Sequence, residues 1–287
     1  MRVTIFGATG LLGKPLMREW TGDEIIGLGS KSADVRDPGQ VRNAVQSHRP
    51  DWVVLAAAYT DVDGCETNPD HAFDVNFRGA VNVAQAAKQF GARLLFVSTD
   101  YVFDGEKATP YEVDDARGPR SVYGRSKAEA EVELLRILPE VCIVRTSWLF
   151  GSDGKCFPDT VLQLAESRKN LDVVDDQRGS PTYSLDLARA MIQLCRQEAQ
   201  GIVHATNTGD CSWFEFAREI VSRAEVDAVV RPTTSDKFVR PAQRPKNSVL
   251  SSRSLEKYGI AMPDWHDALQ RYLTARADGL LARTDDD

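Results

Sequence analysis

The sequence predicts an α/β fold, a doubly wound parallel sheet with a smaller C-terminal region interleaved into it. Along the first 150 residues, short apolar runs alternate with amphipathic stretches, as in chains whose parallel strands are joined by helices. The runs predict strands at residues 3–6, 24–28, 52–57, 93–97 and 141–144, and the stretches between them predict helices at 11–20, 41–48, 71–90 and 123–135. Such alternation implies that helices cover both faces of the sheet.

The character of the chain changes near residue 150, beyond which loops rich in Gly, Pro and Arg become frequent. We therefore predict a first domain over residues 1–150 and a smaller, loop-rich region over residues 151–287. Weaker strand patterns near 171–174 and 202–204 predict that segments between about 171 and 208 return to the sheet of the first domain. The two regions are thus expected to be interleaved.

Composition limits the classes of function open to the chain. Its net charge of −7 argues against nucleic acid as a partner, because a phosphate backbone requires a basic surface. The five cysteines include no Cys-x-x-Cys pair, and the histidines and carboxylates have no spacing typical of metal ligands, so we predict a reducing compartment and no metal site. No apolar run approaches membrane-spanning length and no leader precedes the first predicted strand, which predicts a cytoplasmic protein with no membrane partner.

A glycine-rich loop, Gly7-Ala8-Thr9-Gly10-Leu11-Leu12-Gly13, follows the first predicted strand and opens the first predicted helix. Glycine allows a tight turn and lets a pyrophosphate approach the backbone amides at the start of a helix. A tight turn without a ligand would also explain the glycines. Their place at the start of an alternating α/β chain favours a dinucleotide site of the Rossmann type, with Gly7 and residues 9–13 as cofactor contacts.

The end of the second predicted strand bears on the choice between NAD and NADP. An NAD site usually has Asp or Glu there to bind the ribose hydroxyls, and residues 28–32 contain neither. Ser30 and Lys31 are instead suited to a 2′-phosphate, so NADPH is the predicted cofactor, with NADH left open. Asp34 and Val35 are candidate adenine contacts, although an ordinary loop would also place them there.

Tyr123 and Lys127 are four residues apart in a predicted helix, so they share one of its faces. A phenol has an unperturbed pKa of about 10, and a nearby ammonium lowers this pKa by stabilising the phenolate. The pair can therefore act as an acid toward a carbonyl that receives hydride, although a solvated helix face would also show this spacing. A strand-end hydroxyl makes the pattern more specific, because the fourth predicted strand ends at Ser98-Thr99-Asp100, where parallel sheets bind ligands.

These features, in this order, resemble the extended short-chain dehydrogenase/reductases and, more narrowly, the dTDP-4-dehydrorhamnose reductase family. The matching segments run through nearly the whole chain, at residues 7–13, 56–63, 98–105, 123–127, 145–148, 176–182 and 244–250. Segment 98–105 (STDYVFDG) and segment 145–148 (RTSW) are narrow signatures of that family. The resemblance implies NADPH-dependent reduction of the C4 keto group of dTDP-4-dehydro-L-rhamnose, giving dTDP-L-rhamnose, with residues 151–287 mainly binding this dTDP-linked 4-keto-6-deoxy sugar.

The resemblance also implies a role for each matching site residue. Tyr123 would give its proton to the C4 oxygen, Lys127 would hold the nicotinamide ribose, and Thr99 would orient the carbonyl. Further cofactor contacts would follow the third strand, at Ala56, Ala57, Ala58 and Thr60. Substrate contacts would be Val62, Asp100, Tyr101, Trp148, Phe157 and Arg244. Small residues of a buried strand and a core tryptophan are the simpler explanations for Ala56, Ala57 and Trp148.

Two loop arginines are candidates for binding the substrate diphosphate, since guanidinium groups make bidentate contacts with phosphate. Arg244 is preferred to Arg240 because its Arg-Pro context matches the family. Related 4,6-dehydratases have Glu at the position of Tyr101, which cannot supply a carboxylate base. Simple keto reduction therefore fits the sequence better than dehydration.

Two other functions stay open. The family often has Asn-Phe where this chain has Cys156-Phe157, so the substrate could be another nucleotide-linked 4-ketosugar. The methionine adenosyltransferase β subunit has a similar fold, so the chain could also be a non-catalytic NADP-binding regulatory subunit. Thr99, Tyr123 and Lys127 are all present, which favours an enzyme. The oligomeric state is open, a homodimer included.

Overall fold

The computed structural model describes residues 1–279, and residues 280–287 of the predicted C-terminal region lie outside it. The strands are β1 (Arg2–Phe6), β2 (Glu24–Leu28), β3 (Trp52–Leu55), β4 (Arg93–Thr99), β5 (Cys142–Thr146), β6 (Leu149–Phe150), β7 (Asn170–Val174), β8 (Arg178–Gly179), β9 (Thr182–Tyr183), β10 (Gly201–His204), β11 (Cys211–Ser212) and β12 (Val229–Thr233). The α-helices are α1 (Gly13–Glu19), α2 (Pro38–His48), α3 (Val62–Thr67), α4 (Pro69–Phe73), α5 (Gly79–Phe90), α6 (Val122–Ile137), α7 (Phe157–Ser167), α8 (Ser184–Arg196), α9 (Trp213–Arg223), α10 (Arg253–Glu256) and α11 (Trp265–Ala277).

Within residues 1–279, the largest sheet has six strands in the order β2-β1-β3-β4-β5-β10, and each pairs in parallel with its neighbours. The carboxyl ends of all six strands therefore meet at one edge. The order reverses direction between β1 and β3, and open sheets bind ligands in the crevice at such a reversal. Phe6 at the end of β1 lies beside Leu55 at the end of β3.

Apolar side chains cover both faces of this sheet, and successive residues of a strand point to opposite faces. Val3 and Ile5 pack in a cluster with α1 and α8, whereas Phe6 packs in a cluster with α2, α5 and α6. The predicted doubly wound α/β fold is therefore confirmed. Within residues 1–279 no helix is long and apolar enough to cross a membrane.

A third apolar cluster lies in the C-terminal region, where α7, α9 and α11 pack together. β10 takes the edge position beside β5, as expected of the pattern at residues 202–204. The expectation that residues 171–174 join the same sheet is wrong, because β7 pairs with β12 instead. Only Leu171 of β7 is buried, which suits a small, half-covered sheet better than a central one. The division of the chain near residue 150 stays a prediction.

Local sequence explains where the helices begin. The Asp37 carboxylate accepts hydrogen bonds from the amides of Gly39 and Gln40 at 2.8 and 3.1 Å, which caps α2. The Ser121 hydroxyl accepts one from the Gly124 amide at 3.1 Å, which caps α6. The helix predicted over residues 71–90 is interrupted by a π-helical turn, Asp74–Arg78, between α4 and α5.

Candidate active site

The glycine loop joins β1 to α1 at the carboxyl edge of the sheet. Gly7 has a φ of +89°, and a Cβ on it would lie 2.5 Å from the amide nitrogen of Ala57. A Cβ on Gly13 would overlap the Gly7 carbonyl oxygen. A Cβ on Gly10 would meet no heavy atom closer than 3.5 Å. Packing of the protein on itself therefore explains Gly7 and Gly13, whereas Gly10 has room around it that a ligand could use.

Ser30 and Lys31 are the central residues of the turn after β2. The Ser32 amide donates a hydrogen bond to the Gly29 carbonyl at 3.0 Å, which closes this turn, and both central residues are exposed. A Cβ on Gly29 would lie 3.1 Å from the Thr9 side chain, so the turn lies against the glycine loop. The two segments predicted to bind the cofactor phosphates are thus neighbours.

Three other predicted cofactor contacts have side chains engaged within the protein. Leu12 and Val35 are core residues, 5% and 6% exposed, and the Asp34 carboxylate accepts a hydrogen bond from Arg36 Nε at 3.0 Å. The apolar pattern that places Leu12 in the loop motif thus reflects packing. These positions can contact a cofactor through their backbone only, with the exception of Asp34.

The remaining predicted cofactor contacts lie along the crevice between β1 and β3. Leu11 packs against the loop after β6, because a Cβ on Gly151 would lie 3.5 Å from its Cδ1. Gly7 lies in close contact with the backbone of Ala57, directly after β3. The predicted contacts in this segment are half-buried or exposed; they are Ala56, Ala57, Ala58 and Thr60. The structure therefore places Ala56 and Ala57 beside the glycine loop.

The structure brings Thr99, Tyr123 and Lys127 together. Thr99 is the last residue of β4, and Tyr101, two residues later, packs its ring against that of Tyr123 on α6. Burial raises the pKa of Tyr123 above its usual value, so this hydroxyl carries its proton at neutral pH in the ligand-free protein. A protonated phenol beside a strand-end hydroxyl is the arrangement expected of an acid and its orienting group.

Lys127 is buried beneath this pair, with 2% of its surface exposed. Its ammonium donates a hydrogen bond to the Val97 carbonyl at 2.6 Å and lies 4.0 Å from the centre of the Phe96 ring. Burial lowers the pKa of Lys127 to about 7, although the Glu131 carboxylate acts to raise it. The charge of this lysine is therefore poised to change near neutral pH.

Asp100 and Tyr101 follow Thr99 in a short 3₁₀ turn. Asp100 is 2% exposed and accepts a hydrogen bond from the Thr99 hydroxyl at 2.9 Å, and burial raises the pKa of its carboxyl to about 6. Asp100 therefore supports Thr99 through this bond, and the substrate contact expected of Asp100 stays a prediction. Tyr101 packs edge-on against Tyr123, with ring centroids 5.7 Å apart.

Asn76, in the π-helical turn, is a residue that the sequence pattern did not reveal. Its side chain accepts a hydrogen bond from the Tyr59 amide at 2.8 Å and donates to the Tyr59 carbonyl at 3.0 Å and to the Ser126 hydroxyl at 3.1 Å. Asn76 therefore ties the segment after β3 to α6. An asparagine among the apolar residues of a helix was the available signal, and π-helical turns are frequent at functional sites.

Arg244 reaches the same end of the sheet from the C-terminal region. It binds Asp63 of α3 with both terminal nitrogens, at 2.9 and 3.2 Å, and Arg240 binds Asp63 at 3.1 Å. Burial acts to raise the pKa of Asp63, but hydrogen bonds from Arg244 and Ala242 outweigh it and hold the pKa below its usual value. Val62 precedes Asp63, so the predicted substrate contacts Val62 and Arg244 are neighbours.

Trp148 forms an aromatic wall with residues of the C-terminal region. Its ring stacks on Trp213, the first residue of α9, with centroids 3.5 Å apart, and Phe157 lies 4.5 Å from Trp213. The sequence pattern did not identify Trp213, since it lies in no motif. The Cys156 thiol lies 3.1 Å from the Asp159 carboxylate within the third apolar cluster, so Cys156 is a core residue.

Comparison with known proteins places this geometry in a family. The model of the RmlD substrate binding domain family matches residues 1–277. The chain belongs to this family. A dTDP-4-dehydrorhamnose reductase of Mycobacterium tuberculosis is 40% identical over 287 residues, 96% of this chain and 94% of that protein. A probable dTDP-4,6-dihydroxy-2-methyloxan-3-one 4-ketoreductase of Streptomyces antibioticus is also 40% identical, over 94% of each chain.

Solved structures agree with this assignment. A crystal structure of dTDP-4-dehydrorhamnose reductase from Bacillus anthracis in complex with NADP has a TM-score of 0.93 and 39% sequence identity to this chain. The likeness covers 95% of this chain and 98% of that one. The resemblance read from the sequence motifs is confirmed.

Proposed function

We propose that this protein uses NADPH to reduce the C4 keto group of dTDP-4-dehydro-L-rhamnose, which gives dTDP-L-rhamnose. The observation that carries the proposal is the packing of α6 against the carboxyl end of β4, where the ring of Tyr123 contacts Tyr101 and the buried Lys127 bonds to the Val97 carbonyl. Relatives that match nearly the whole chain are named for this reaction.

The residues of the crevice fit the cofactor. Gly10 leaves space beside the loop amides for a pyrophosphate, and the exposed turn at Ser30 and Lys31 offers a hydroxyl and an ammonium to a 2′-phosphate. NADPH, when bound, supplies the hydride. Residues 28–32 contain no carboxylate that would repel a 2′-phosphate. We therefore expect NADPH to be preferred to NADH.

Side chains of α6 and of the end of β4 would transfer the proton to the substrate. Tyr123 is protonated at neutral pH, so its hydroxyl can donate a proton to the C4 oxygen as charge develops there. Thr99 would turn its hydroxyl from Asp100 to the same oxygen when the substrate binds, and so fix the position of the carbonyl. Lys127 in its ammonium form would stabilise the phenolate that remains. Tyr101 offers no carboxylate, so reduction fits this geometry better than elimination of water.

The nucleotide end of the substrate would bind between α3 and the loop that carries Arg244. The side chain of Arg244 is 22% exposed and its guanidinium is already oriented by Asp63, so it can present a fixed pair of donors to a diphosphate. The sugar would lie against an apolar wall formed by Trp148, Trp213 and Phe157. Val62 and Tyr101 stay predicted substrate contacts. Val62 adjoins Asp63, the partner of Arg244, and Tyr101 packs against Tyr123.

The test is oxidation of NADPH in the presence of dTDP-4-dehydro-L-rhamnose generated in situ, with the product identified by chromatography and mass. We expect dTDP-L-rhamnose, and slower turnover with NADH. GDP- and UDP-linked 4-ketosugars run in parallel would identify a different nucleotide sugar. Tight NADPH binding with no turnover on any of these substrates would overturn the reductase and favour a regulatory subunit.

A second substrate has a specific observation in its favour. The ketoreductase of Streptomyces antibioticus, whose name describes a different dTDP-linked keto sugar, is as similar to this chain as the rhamnose enzymes. The dTDP-linked 4-keto group is common to both names, so the nucleotide and the reaction are better supported than the sugar. The cytoplasmic location and a homodimer stay predictions of the sequence.

A further inference from the structure

Glu131 of α6 is the centre of a buried network of charges. Its carboxylate accepts hydrogen bonds from the Ser98 hydroxyl at 2.6 Å, from Arg145 Nε and Nη2 at 2.9 and 2.7 Å, and from Arg117 Nε at 2.7 Å. The side chains of Glu131 and Arg145 are both fully buried. Two arginines on one carboxylate leave this cluster with a surplus of positive charge.

The network is attached to the residues that would transfer the proton. Glu131 lies one helical turn after Lys127, on the same face of α6. Lys127 bonds to the carbonyl of Val97, and Glu131 bonds to the side chain of Ser98, the residue directly before Thr99. The helix that carries Tyr123 is thus fastened to the end of β4 at two successive residues, just before Thr99.

The charged groups around Lys127 can be assigned element by element. On α6 the carboxylate is Glu131. Arg145 from β5 and Arg117 from the loop before α6 both bind Glu131, and the turn after β4 carries Asp100, which bonds to Thr99. Of these charges, Glu131 is the one that acts on the pKa of Lys127. The direct partners of the ammonium, the Val97 carbonyl and the Phe96 ring, are uncharged. A buried ammonium without a negative charge nearby loses its proton. The charge of Glu131 therefore favours the protonated form of Lys127.

We propose that Glu131 is a positioning residue for proton transfer: it fastens α6 to the end of β4 and supplies the negative charge that keeps Lys127 an ammonium. This inference rests on the proposed function only in assigning catalysis to Tyr123 and Lys127. A carboxylate that merely paired with Arg145 would stabilise the fold, and its neutralisation would leave the titration of Lys127 unchanged.

The first test titrates Lys127 directly, by NMR of protein carrying ¹³C at the lysine Cε, with the signal assigned by its loss in Lys127→Met. In Glu131→Gln we expect the titration midpoint of Lys127 to fall by about one pH unit. Glu129→Gln, on the exposed side of the same helix, is the matched control and should leave the midpoint unchanged. A midpoint in Glu131→Gln equal to that of the unaltered protein would overturn the proposal.

The second test is the pH profile of NADPH oxidation. The alkaline limb of kcat should move to lower pH in Glu131→Gln by the same amount as the NMR midpoint, with KM for the sugar nucleotide unchanged. A fall in kcat that is equal at every pH would indicate a structural role only. The NMR titration needs no substrate, so failure of the unaltered protein to turn over would count against the proposed function and not against this inference.

Glu131→Gln leaves Arg145 buried without a full counter-charge and could fail to fold. The double variant Glu131→Gln with Arg145→Met removes both charges and avoids that cost. Because Glu131, and not Arg145, is the charge that acts on the pKa of Lys127, the midpoint of Lys127 should still be below that of the unaltered protein. An equal or higher midpoint in the folded double variant would refute the role of the Glu131 charge.

Discussion

Trp148 and Trp213 lie in parallel contact, with ring centroids 3.5 Å apart and ring planes 7° from parallel. Trp148 has a φ of +46°, a backbone conformation that is unusual for a bulky residue. The Trp148 ring packs closely on the backbone of Gly179, since a Cβ on Gly179 would lie 2.5 Å from Trp148 Cε2. A residue held in such a conformation by its surroundings points to a functional role for its ring.

Replacement of Trp213 by alanine should weaken substrate binding through Trp148. Aromatic pairs contribute about 0.5–1.5 kcal/mol beyond their buried area, so we expect KM for the sugar nucleotide to rise about 2- to 10-fold. The near-ultraviolet circular dichroism of the stacked indoles should be lost as well. Trp213→Phe, which keeps a ring, is the control and should retain most of the affinity. An unchanged KM in Trp213→Ala would remove Trp148 from the substrate contacts.

Tyr123→Phe should keep NADPH binding and lose most turnover, because the variant has no proton to donate. General acid catalysis contributes about 10²- to 10⁴-fold, so kcat should fall within that range. Tyr101→Phe, which keeps the ring that packs against Tyr123, should have a much smaller effect on kcat. Turnover of Tyr123→Phe at the rate of the unaltered protein would show that another group is the acid.

The glycine loop allows a matched pair of substitutions. Gly13→Ala would force a Cβ onto the Gly7 carbonyl, so it should lower the free energy of unfolding by about 1–3 kcal/mol. Gly10→Ala meets only ordinary contacts and should leave thermal stability unchanged while weakening NADPH binding, measured by calorimetry. Undiminished NADPH affinity in Gly10→Ala would place the pyrophosphate elsewhere.

Arg244→Ala should mainly raise KM, because a diphosphate contact binds ground state and transition state alike. Arg240→Ala should raise KM less, since the side chain of Arg240 is 63% exposed and that of Arg244 is 22% exposed. Steady-state kinetics with the dTDP-linked substrate measures both. A lower kcat with KM unchanged in Arg244→Ala would contradict the proposed role.

His204, at the end of β10, should make the protein sensitive to acid. Burial, and then the charge of Arg145, lower the pKa of His204 to about 3, whereas an unfolded histidine has a pKa of about 6.5. Between these values the unfolded state binds one more proton, so the free energy of unfolding should fall as pH drops, by about 1.4 kcal/mol per pH unit.

Urea unfolding between these pH values measures that slope. His204→Gln keeps an acceptor for Arg145 Nη1, which lies 3.3 Å from the His204 ring nitrogen, and cannot be protonated. The slope should therefore be shallower in this variant. His266→Gln, at the surface, is the control and should keep the slope of the unaltered protein. Equal slopes in both variants would show that His204 does not control acid stability.

Local patterns predicted much of the fold and several residues of the candidate site. The second strand has the predicted bounds, Glu24–Leu28, because a short apolar run bounded by polar residues marks a strand. A strand end, a helical spacing and the family resemblance predicted Thr99, Tyr123 and Lys127, and in the structure α6 packs against the end of β4. Such features depend on residues close in sequence and on the shared edge of a parallel sheet.

Long-range packing determined what these patterns could not. The pattern at residues 171–174 has strand character, but nothing local selects β12 as its partner. The apolar and acidic residues Leu12, Val35 and Asp100 lie in predicted site segments, and only the fold shows that they are buried. Trp213 lies far from Trp148 in sequence, so no spacing could link the two rings.

The sequence by itself determined the α/β class, because strand and helix periodicity are local properties of the chain. Its short motifs identified the family by resemblance, and that resemblance implied the residues that would transfer the proton. Only the tertiary structure decided which groups share a buried environment. Glu131 is one polar residue of an amphipathic helix until β4 and β5 bring Ser98 and Arg145 to its carboxylate. The charge of a side chain depends on such neighbours, and their identity is a property of the folded chain.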